Sequence, residues 1–375
     1  MSNIDHILLF LFSFILFFLW GKYNYKRTGL SFWFSALFPL LTVSLILGSR
    51  TWGADYLWYK YQFQHALDFG MLQDQQPLFV YFNRLLRWIG LNYVGAFTVY
   101  SLIYFVATFK LFKSFGKYSK YMYAFALPAY IGFGTDIIRQ TIATGLAIMV
   151  ILEFNQKKYK SSAVFIVLAG MIHSASVIIV AFYLLFKFIW QKPLPVYITI
   201  PLYLILIFFF KPEWLNGLNI VFASLNLGDS KFQGYVDNSD KWFSNEGMND
   251  IYTQGIVPLI LNTGFIISIF YLGYKALEKK ENKDLAIIYN MVVIGYLGLR
   301  LFFNLEILRR FFIPNTMLYP VVLGYVLFFF KYEVKEKYIN EIRIINTCYI
   351  LIFLWLFMYW GRFIFLYPDY KFVWN

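Results

Sequence analysis

Long apolar runs separated by short polar stretches extend over nearly the whole of this 375-residue chain. Several runs reach about 20 residues, the length that an α-helix needs to cross a bilayer. The pattern predicts an all-α polytopic integral membrane protein of about 12 transmembrane helices, forming a single domain over residues 1–375. The predicted spans are residues 7–20, 30–47, 91–112, 121–134, 137–154, 194–210, 255–274, 285–303, 311–330 and 344–367, with two short helices in 161–186.

Lysine and arginine residues concentrate in every second polar stretch. Short loops rich in these residues stay on the cytoplasmic side of a membrane. The basic stretches are 22–27, 113–120, 157–160, 187–192, 275–284 and 331–343. The N-terminus and the two long segments 49–90 and 211–254 are then predicted on the outer face. The run 7–20 lacks a basic leader and a small-residue cleavage site, so we expect a first span and not a removed signal peptide.

Residues 161–186 allow two interpretations, because they are long for one span and short for two. A single span would invert every later loop. A hairpin of two short helices, broken at 170–174, keeps the basic stretches on one side and places His173 at the outer tip. We favour the hairpin, since broken helices are tolerated in membranes where they line a polar cavity.

Residues 77–90 in the first outer segment show apolar positions at helical spacing, while Asn83, Arg84 and Arg87 lie together. This pattern predicts an amphipathic helix in the membrane interface. An extended start to the next span is the alternative.

Composition narrows the classes of protein. The chain is 60% hydrophobic and 14% charged, whereas soluble domains have about 25% charged residues. The net charge of +13 does not indicate nucleic acid binding, because the basic residues lie in short turns between spans. Cys348 is the single cysteine, which excludes an intrachain disulfide and a cysteine-based zinc site. No nucleotide-binding or zinc-protease motif occurs, so we expect neither a metal nor another cofactor.

This topology carries several ionisable residues to the outer face. Asp136 and Arg139 lie one helical turn apart at the start of a span, and His173 lies at the hairpin tip. Asp55 lies with Tyr56 and Tyr59 in the first outer segment. Ionisable groups at membrane depth are costly unless they have a partner or a function.

Arginines are prominent in this set. Arg300 lies near the outer end of an apolar run, and Arg309 and Arg310 follow in the stretch 304–310, which is predicted to be an outer turn. The planar arginine fork suits phosphate and stays charged at any working pH. The face is therefore predicted to bind an anion, and in a membrane the obvious anion is a lipid phosphate or pyrophosphate.

Structural alternatives stay open for these residues. Arg309 and Arg310 could extend to lipid headgroups. Arg139 could form an ion pair with Asp136. His173, beside Ser174 and Ser176, could cap a helix instead of acting as a base.

The pair Arg139–Gln140, the basic turn KKYK at 157–160, the step Ile172–His173–Ser174, the stretch GADYLWY at 53–59 and the arginines of 300–310 occur together here. With these patches the sequence resembles the EpsG-like branch of the Wzy-type bacterial polysaccharide polymerases. The resemblance implies a GT-C-like glycosyltransferase architecture in the bacterial inner membrane, with an active site on the periplasmic face. Such an enzyme joins repeat units carried on undecaprenyl pyrophosphate into O-antigen, capsule or exopolysaccharide.

The resemblance also implies partners and residue roles. The partners are a lipid-linked oligosaccharide donor and acceptor and the bilayer, and a chain-length regulator is a further candidate. Arg139, Arg300 and one of Arg309 or Arg310 would stabilise the leaving pyrophosphate, by the general logic of preorganised charge. The candidate bases are His173, Asp136 and Asp55. The candidate glycan-binding residues are Tyr56, Tyr59, Gln140, Trp214 and Trp242.

Other classes of membrane protein would also need arginines. A flippase or transporter for lipid-linked oligosaccharide should show two related halves, and we find no convincing internal repeat. A glycosyltransferase that uses a single polyprenyl phosphate sugar should have an acidic pair in the first outer segment, where Asp55 stands alone. A membrane acyltransferase should pair its histidine with an acidic residue, for which Asp136 is available.

Overall fold

The computed structural model describes residues 3–51, 53, 55–68, 76–134, 137–210, 255–303, 306–334 and 339–365, and every regular element among them is helical. The helices are α1 (Asn3–Asn24), α2 (Gly29–Gly48), α3 (Tyr56–Gln64), α4 (Pro77–Trp88), α5 (Tyr93–Ser114), α6 (Met122–Phe133), α7 (Ile138–Asn155), α8 (Tyr159–Ile172), α9 (Ile178–Phe188), α10 (Val196–Phe208), α11 (Ile256–Lys279), α12 (Lys283–Leu301), α13 (Glu306–Thr316), α14 (Tyr319–Tyr332) and α15 (Ile339–Phe365). Short 3₁₀ turns precede α6 and α9, at Gly116–Tyr121 and Ser174–Val177.

Many helices are long and apolar, which makes this a multi-pass membrane protein. Within the described residues, 5 segments of at least 18 residues have the length and hydropathy to cross a bilayer: Gly29–Gly48, Tyr93–Ser114, Ile256–Lys279, Lys283–Leu301 and Leu308–Tyr332. The shorter apolar helices are Leu8–Asn24, Tyr159–Ile172, Ser174–Phe188, Val196–Phe208 and Ile342–Met358. These helices support a polytopic fold, whereas the predicted number of about 12 spans exceeds what they show.

The basic turns between helices meet at one end of the molecule. Lys113 Nζ donates a hydrogen bond of 2.9 Å to the carbonyl of Tyr25, which joins the first two basic turns. Lys280 Nζ lies 2.9 Å from Glu333 Oε2, which joins two later ones. We call this the lysine-rich end. The opposite, arginine-rich end carries Arg50, Arg84, Arg87, Arg139, Arg300, Arg309 and Arg310.

The hairpin predicted in 161–186 is present. Helix α8 ends at Ile172, and α9 begins after a short turn. Phe154, at the lysine-rich end of α7, contacts Tyr159 at the start of α8 and Phe188 at the end of α9. Both helices therefore run along α7 in opposite directions, which places His173 at the arginine-rich end.

The chain near residue 310 differs from the prediction. Residues 304–310 were expected to form a turn before a span over 311–330, but α13 begins at Glu306 and a break at Met317 and Leu318 separates it from α14. Close packing on α12 explains the extra helix. A Cβ added at Gly295 would lie 2.9 Å from the backbone nitrogen of Thr316. Small residues permit this approach of two backbones, and α13 thereby brings Arg309 and Arg310 against the bundle.

Helix α4 is separate from the span that follows, so the interpretation as an amphipathic helix is confirmed over the extended alternative. Pro77 opens it, and Gly90, with φ +84°, turns the chain towards α5. Phe79 and Leu86 are buried, and Trp88 is 79% exposed. The helix thus packs through one face and presents the other outward.

Among the described residues, the buried apolar side chains form two clusters. The larger lies among the long helices and includes Phe17, Phe109 and Tyr123, whose rings pack edge to face. The smaller joins α3 and α4 to the arginine-rich ends of α5, α7 and α8, with Tyr59 and Phe79 among its members. The candidate site lies against this second cluster, because the rings of Tyr59 and Phe79 contact Arg139.

Candidate active site at the arginine-rich end

Arg139 lies in the first turn of α7 and is held by aromatic rings. Its guanidinium carbon lies 5.9 Å from the ring centroids of both Tyr59 and Phe79, within the range of cation–π attraction. Its Nε is buried and has no hydrogen-bond partner among the described residues. Rings attract the cation without occupying this N–H donor, so the Nε–H remains available to an anion.

Gln140 connects three elements of the site. Its side-chain amide donates a hydrogen bond to the backbone carbonyl of Arg310 on α13. The backbone carbonyl of Gln140 accepts a hydrogen bond of 3.1 Å from Ser176 Oγ, in the turn that follows His173. Among the described residues its Oε1 has no hydrogen-bond partner, and Gln140 as a whole is buried, so the glycan contact of Gln140 stays a prediction. Gln140 positions Arg139, Arg310 and His173 relative to one another.

His173 lies in the break between α8 and α9, outside both helices. Its backbone is extended and its N–H donates to the carbonyl of Ala169 at 2.8 Å. Its Nδ1 is buried and has no hydrogen-bond partner in the described part of the chain. Burial, together with the positive charges of Arg139 and Arg310, lowers the pKa of His173. The imidazole is therefore neutral at ordinary pH and offers a lone pair on one nitrogen.

Arg300 and Arg309 form the second part of the arginine cluster. Their guanidinium carbons lie 5.1 and 5.5 Å from the ring of Phe303. Arg300 also donates to the carbonyls of Leu206 at 3.4 Å and Ile207 at 3.3 Å, at the end of α10. The last carbonyls of a helix attract cations, so α10 fixes Arg300 at this depth. Since Arg309 and Arg310 are neighbours on α13, that helix links the two parts.

Arg50 was missed by the sequence reasoning. It follows the apolar run of α2 directly and is fully buried. Its guanidinium carbon lies 5.4 Å from the ring of Phe97, and its Nη1 donates to the carbonyl of Leu47 at 2.7 Å. It also interacts with the Tyr130 hydroxyl. The position of an arginine just after a predicted membrane span could have indicated a site residue. An arginine there can equally well extend its side chain to the lipid headgroups, so the signal did not distinguish the two roles.

Tyr56 and Tyr59 lie on the inner face of α3 and are 3% and 5% exposed. Tyr56 packs edge to face on Phe97, and Tyr59 packs in the same way on Phe79. This burial differs from the predicted contact with a glycan, because neither ring faces an open surface. Asp55 precedes α3, and its carbonyl accepts from the backbone N–H of Tyr59 at 3.0 Å.

Three of the predicted site residues, Asp136, Trp214 and Trp242, lie outside the described residues. In the part of the chain that the structure describes, no three His, Cys, Asp or Glu side chains come together. The residues brought together are thus Arg139, Gln140, His173 and Arg310, with Arg300 and Arg309 beside them.

The fold and the site define a class: a multi-pass helical membrane protein with a partly buried arginine cluster and a histidine at one end. Comparison with protein families is consistent with this class. The chain belongs to the EpsG family, whose sequence model matches residues 31–371. Comparisons with curated proteins and with solved structures gave no match. The resemblance noted in the sequence is therefore confirmed at the level of the family.

Proposed function

We propose that this protein is a membrane glycosyltransferase that polymerises oligosaccharide repeat units carried on undecaprenyl pyrophosphate. Membership of the EpsG family supports a role in polysaccharide synthesis. The observation that carries the proposal is the environment of Arg139. An arginine that rings hold in place, beside a neutral histidine and a second arginine, suits an oxyanion that develops during reaction.

The orientation follows from the distribution of charge. Lysine-rich turns mark the cytoplasmic side, and in this fold they meet at the end opposite Arg139. The active site is thus assigned to the outer face, which in a bacterium with two membranes is the periplasmic face of the inner membrane. The finer GT-C architecture is part of the same proposal.

The reaction breaks the bond between the donor sugar C1 and a pyrophosphate oxygen and forms a bond between C1 and an acceptor hydroxyl oxygen. The bonding electrons leave with undecaprenyl pyrophosphate, on which negative charge increases. Arg139 and Arg310 stabilise that charge on one side, and Arg300 and Arg309 on the other. Preorganised donors of this kind need no reorganisation during the step. Binding of donor and acceptor at one site supplies the orientation term.

The acceptor hydroxyl proton moves to a base as the new bond forms. His173 is the base that the described residues favour, because its Nδ1 is unpartnered within them and Arg139 and Arg310 lie close enough to act on it. A bound pyrophosphate would compensate the two arginine charges and raise the pKa of the imidazole, so the base strengthens when the donor is present. Asp136 and Asp55 are the alternative bases.

The test is complementation of a strain that lacks the gene, with its lipid-linked and polymeric glycans separated by size. Wild type, Arg139→Ala and Arg343→Ala are compared at matched expression. Arg343 is an exposed arginine on α15, near the lysine-rich end, and serves as the control. We expect single repeat units to accumulate in the deletion and in Arg139→Ala, and long chains to return with wild type and Arg343→Ala.

Two results would contradict the proposal. Long chains in the deletion strain would mean that the protein does not polymerise them. Absence of any repeat unit on the outer face in the deletion strain would indicate a flippase, because the defect would then precede polymerisation.

A further inference from the structure

Helix α3, together with His65 directly after its last residue, carries a row of three rings on its outward face. Trp58, Tyr61 and His65 recur at the i, i+3, i+7 spacing that lines one side of a helix. The rings of Trp58 and Tyr61 are stacked, with centroids 6.0 Å apart and 14° between the planes. The centroids of Tyr61 and His65 are 4.2 Å apart. We call this row the α3 ladder.

The α3 ladder is exposed although it is aromatic. Trp58 is 52% and Tyr61 39% exposed. The opposite face of the same helix already anchors it, through the buried rings of Tyr59 and Phe63. Helix α3 is therefore held to the bundle by its inner face. Large aromatic rings that remain this exposed on the other face are typical of binding surfaces.

The chemistry of the ladder suits a saccharide. The C–H groups of a pyranose form apolar patches that lie flat on an aromatic ring and remove both from water. The indole N–H of Trp58 and the Nε2 of His65 can bond the surrounding hydroxyls, while His65 Nδ1 lies 3.0 Å from the carbonyl of Tyr61. A lipid tail would use the ring faces alone. Moreover, the exposed Gln64 interrupts the outward face of α3, whereas a helix that inserts into a bilayer has a continuous apolar face.

The position of the ladder matches a substrate that joins a sugar to a phosphate. Tyr59, the residue after Trp58, lies on the inner face of α3, and its ring centroid is 5.9 Å from the guanidinium carbon of Arg139. A helix with its side chains is about 10 Å across. The ladder and the proposed phosphate site are thus separated by one helix, a distance that a few sugar rings cover.

We propose that the α3 ladder is a saccharide-binding subsite, which holds the glycan of a lipid-linked substrate whose phosphate lies at Arg139. The proposal rests on the proposed function in one respect, the placement of the phosphate. It assigns glycan contact to Trp58, Tyr61 and His65 and assigns to Tyr59 the support of Arg139.

The experiment measures glycan binding to the full-length protein in lipid nanodiscs. The probe is a set of fluorescently labelled oligosaccharides, released by mild acid from the polysaccharide of the strain that carries the gene, and the readout is anisotropy. We expect Trp58→Ala and Tyr61→Ala each to weaken binding by roughly five- to tenfold, and Trp58→Phe to retain most of it. Trp88→Ala, which removes a more exposed tryptophan from α4, is the matched control and should bind as wild type does.

Several outcomes would contradict the assignment of the α3 ladder as a saccharide-binding subsite. Unchanged binding by Trp58→Ala and Tyr61→Ala would do so, and so would equal weakening by Trp88→Ala, which would indicate a general effect of the membrane interface. If Trp58→Ala unfolds, judged by its thermal midpoint, Tyr61→Ala and Trp58→Phe decide the question. Altered partitioning of α3-ladder variants into anionic vesicles, with glycan binding intact, would identify the bilayer as the occupant.

Failure of the ladder and failure of the proposed function give different results. If Arg139→Ala abolishes long chains in cells while the α3-ladder variants bind glycan normally, the function stands and the subsite is wrong. If the ladder variants lose glycan binding but deletion of the gene leaves long chains intact, the subsite stands and the polymerase is wrong.

Discussion

The side-chain amide of Gln140 donates to the backbone carbonyl of Arg310, across 170 residues of sequence. This contact joins the first turn of α7 to α13. The backbone carbonyl of Gln140 also accepts a hydrogen bond from Ser176 Oγ, in the turn after His173. One buried residue therefore sets the relative positions of the three groups to which we assign the reaction. We assign it a positioning role, because its Nε2 is committed to the backbone of α13, while its Oε1 has no hydrogen-bond partner among the described residues.

The variant Gln140→Leu should reduce the rate of polymerisation without removing any charge. Leucine fills a similar volume but leaves the carbonyl of Arg310 without its donor, so α13 is free to shift. A displacement of about 1 Å at a reacting centre costs up to roughly 100-fold in rate. The rate is measured as turnover of lipid-linked repeat units by the protein in nanodiscs. We expect Gln140→Leu to have a lower kcat and a nearly unchanged KM.

Thr144→Val is the control for Gln140. The hydroxyl of Thr144 donates to the backbone carbonyl of Gln140 at 2.8 Å, one turn along α7, and within the described residues it makes no bond to α13. We expect less than a threefold loss of rate for this variant. Equal losses in the two variants would contradict the positioning role.

Arg139→Lys should be nearly as inactive as Arg139→Ala. A lysine keeps the charge but lacks the planar fork that binds phosphate in a bidentate manner and stacks on rings. Phe79→Leu should have an intermediate effect, because it removes one of the two rings that hold the guanidinium. Binding of inorganic pyrophosphate to the protein in nanodiscs, measured by calorimetry, separates these cases. Full binding by Arg139→Lys would show that charge alone suffices.

Helix boundaries at the lysine-rich end were predictable because charge and hydropathy change together there. The basic turns at 157–160 and 275–284 overlap the breaks between helices, although α11 continues to Lys279, and the hairpin around His173 followed from the requirement that all such turns share one side. These signals are local in sequence. They depend on the preference of charged residues for water and need no knowledge of packing.

Features that depend on packing were not predictable. The face of α3 that is buried was not apparent, because Tyr56 and Trp58 are both aromatic and only the neighbouring Phe97 and Phe79 decide which side packs. Only the start of α13 was predicted as a turn, at residues 304–310, because its arginines obscured the helix that packs through Phe312 against Gly298 on α12. Burial of Arg50 likewise arises from contacts between distant segments.

Gly295→Ala should destabilise the protein even though alanine favours helices. The added methyl would lie 2.9 Å from the backbone nitrogen of Thr316, so α13 has to move away from α12. Overpacking of this kind costs about 1–3 kcal/mol. Gly170→Ala on α8 is the control, because its nearest neighbour, Val177 Cγ2, lies at 3.5 Å. We expect a lower thermal midpoint for Gly295→Ala and an unchanged or higher one for Gly170→Ala.

Glu333 should make stability depend on pH at the lysine-rich end. Burial raises the pKa of Glu333, but hydrogen bonds from Lys117, Lys280 and Tyr118 outweigh it and hold the pKa below the ordinary value of 4.5. A lowered pKa stabilises the fold above the unfolded value, and this stabilisation is lost as the pH falls below about 4.5. Glu333→Gln should lower the thermal midpoint by a few degrees at pH 7.

The difference between wild type and Glu333→Gln should shrink between pH 5 and pH 3, since protonation removes the same charge. Thermal unfolding followed by intrinsic fluorescence over this range measures it. A constant difference would show that the carboxylate charge is not the source. Polymerisation at pH 7 should be unaffected, because Glu333 lies at the end remote from Arg139.

The pH–rate profile should identify the base. Burial, with Arg139 and Arg310 nearby, lowers the pKa of His173, so the unprotonated ring persists below the usual range and the acid limb of kcat/KM should lie below 6.5. Arg310→Gln removes one positive charge, which raises this pKa and moves the acid limb to higher pH. Arg310→Lys keeps the charge and should leave the limb in place, although both variants turn over slowly. The position of the acid limb is measured from initial rates between pH 4 and pH 8. It therefore shows whether Arg310 acts on His173 through its positive charge or through its shape. If the acid limb has the same position in Arg310→Gln as in wild type and is absent in Asp136→Asn, the proton acceptor is Asp136 and His173 serves to position the substrate.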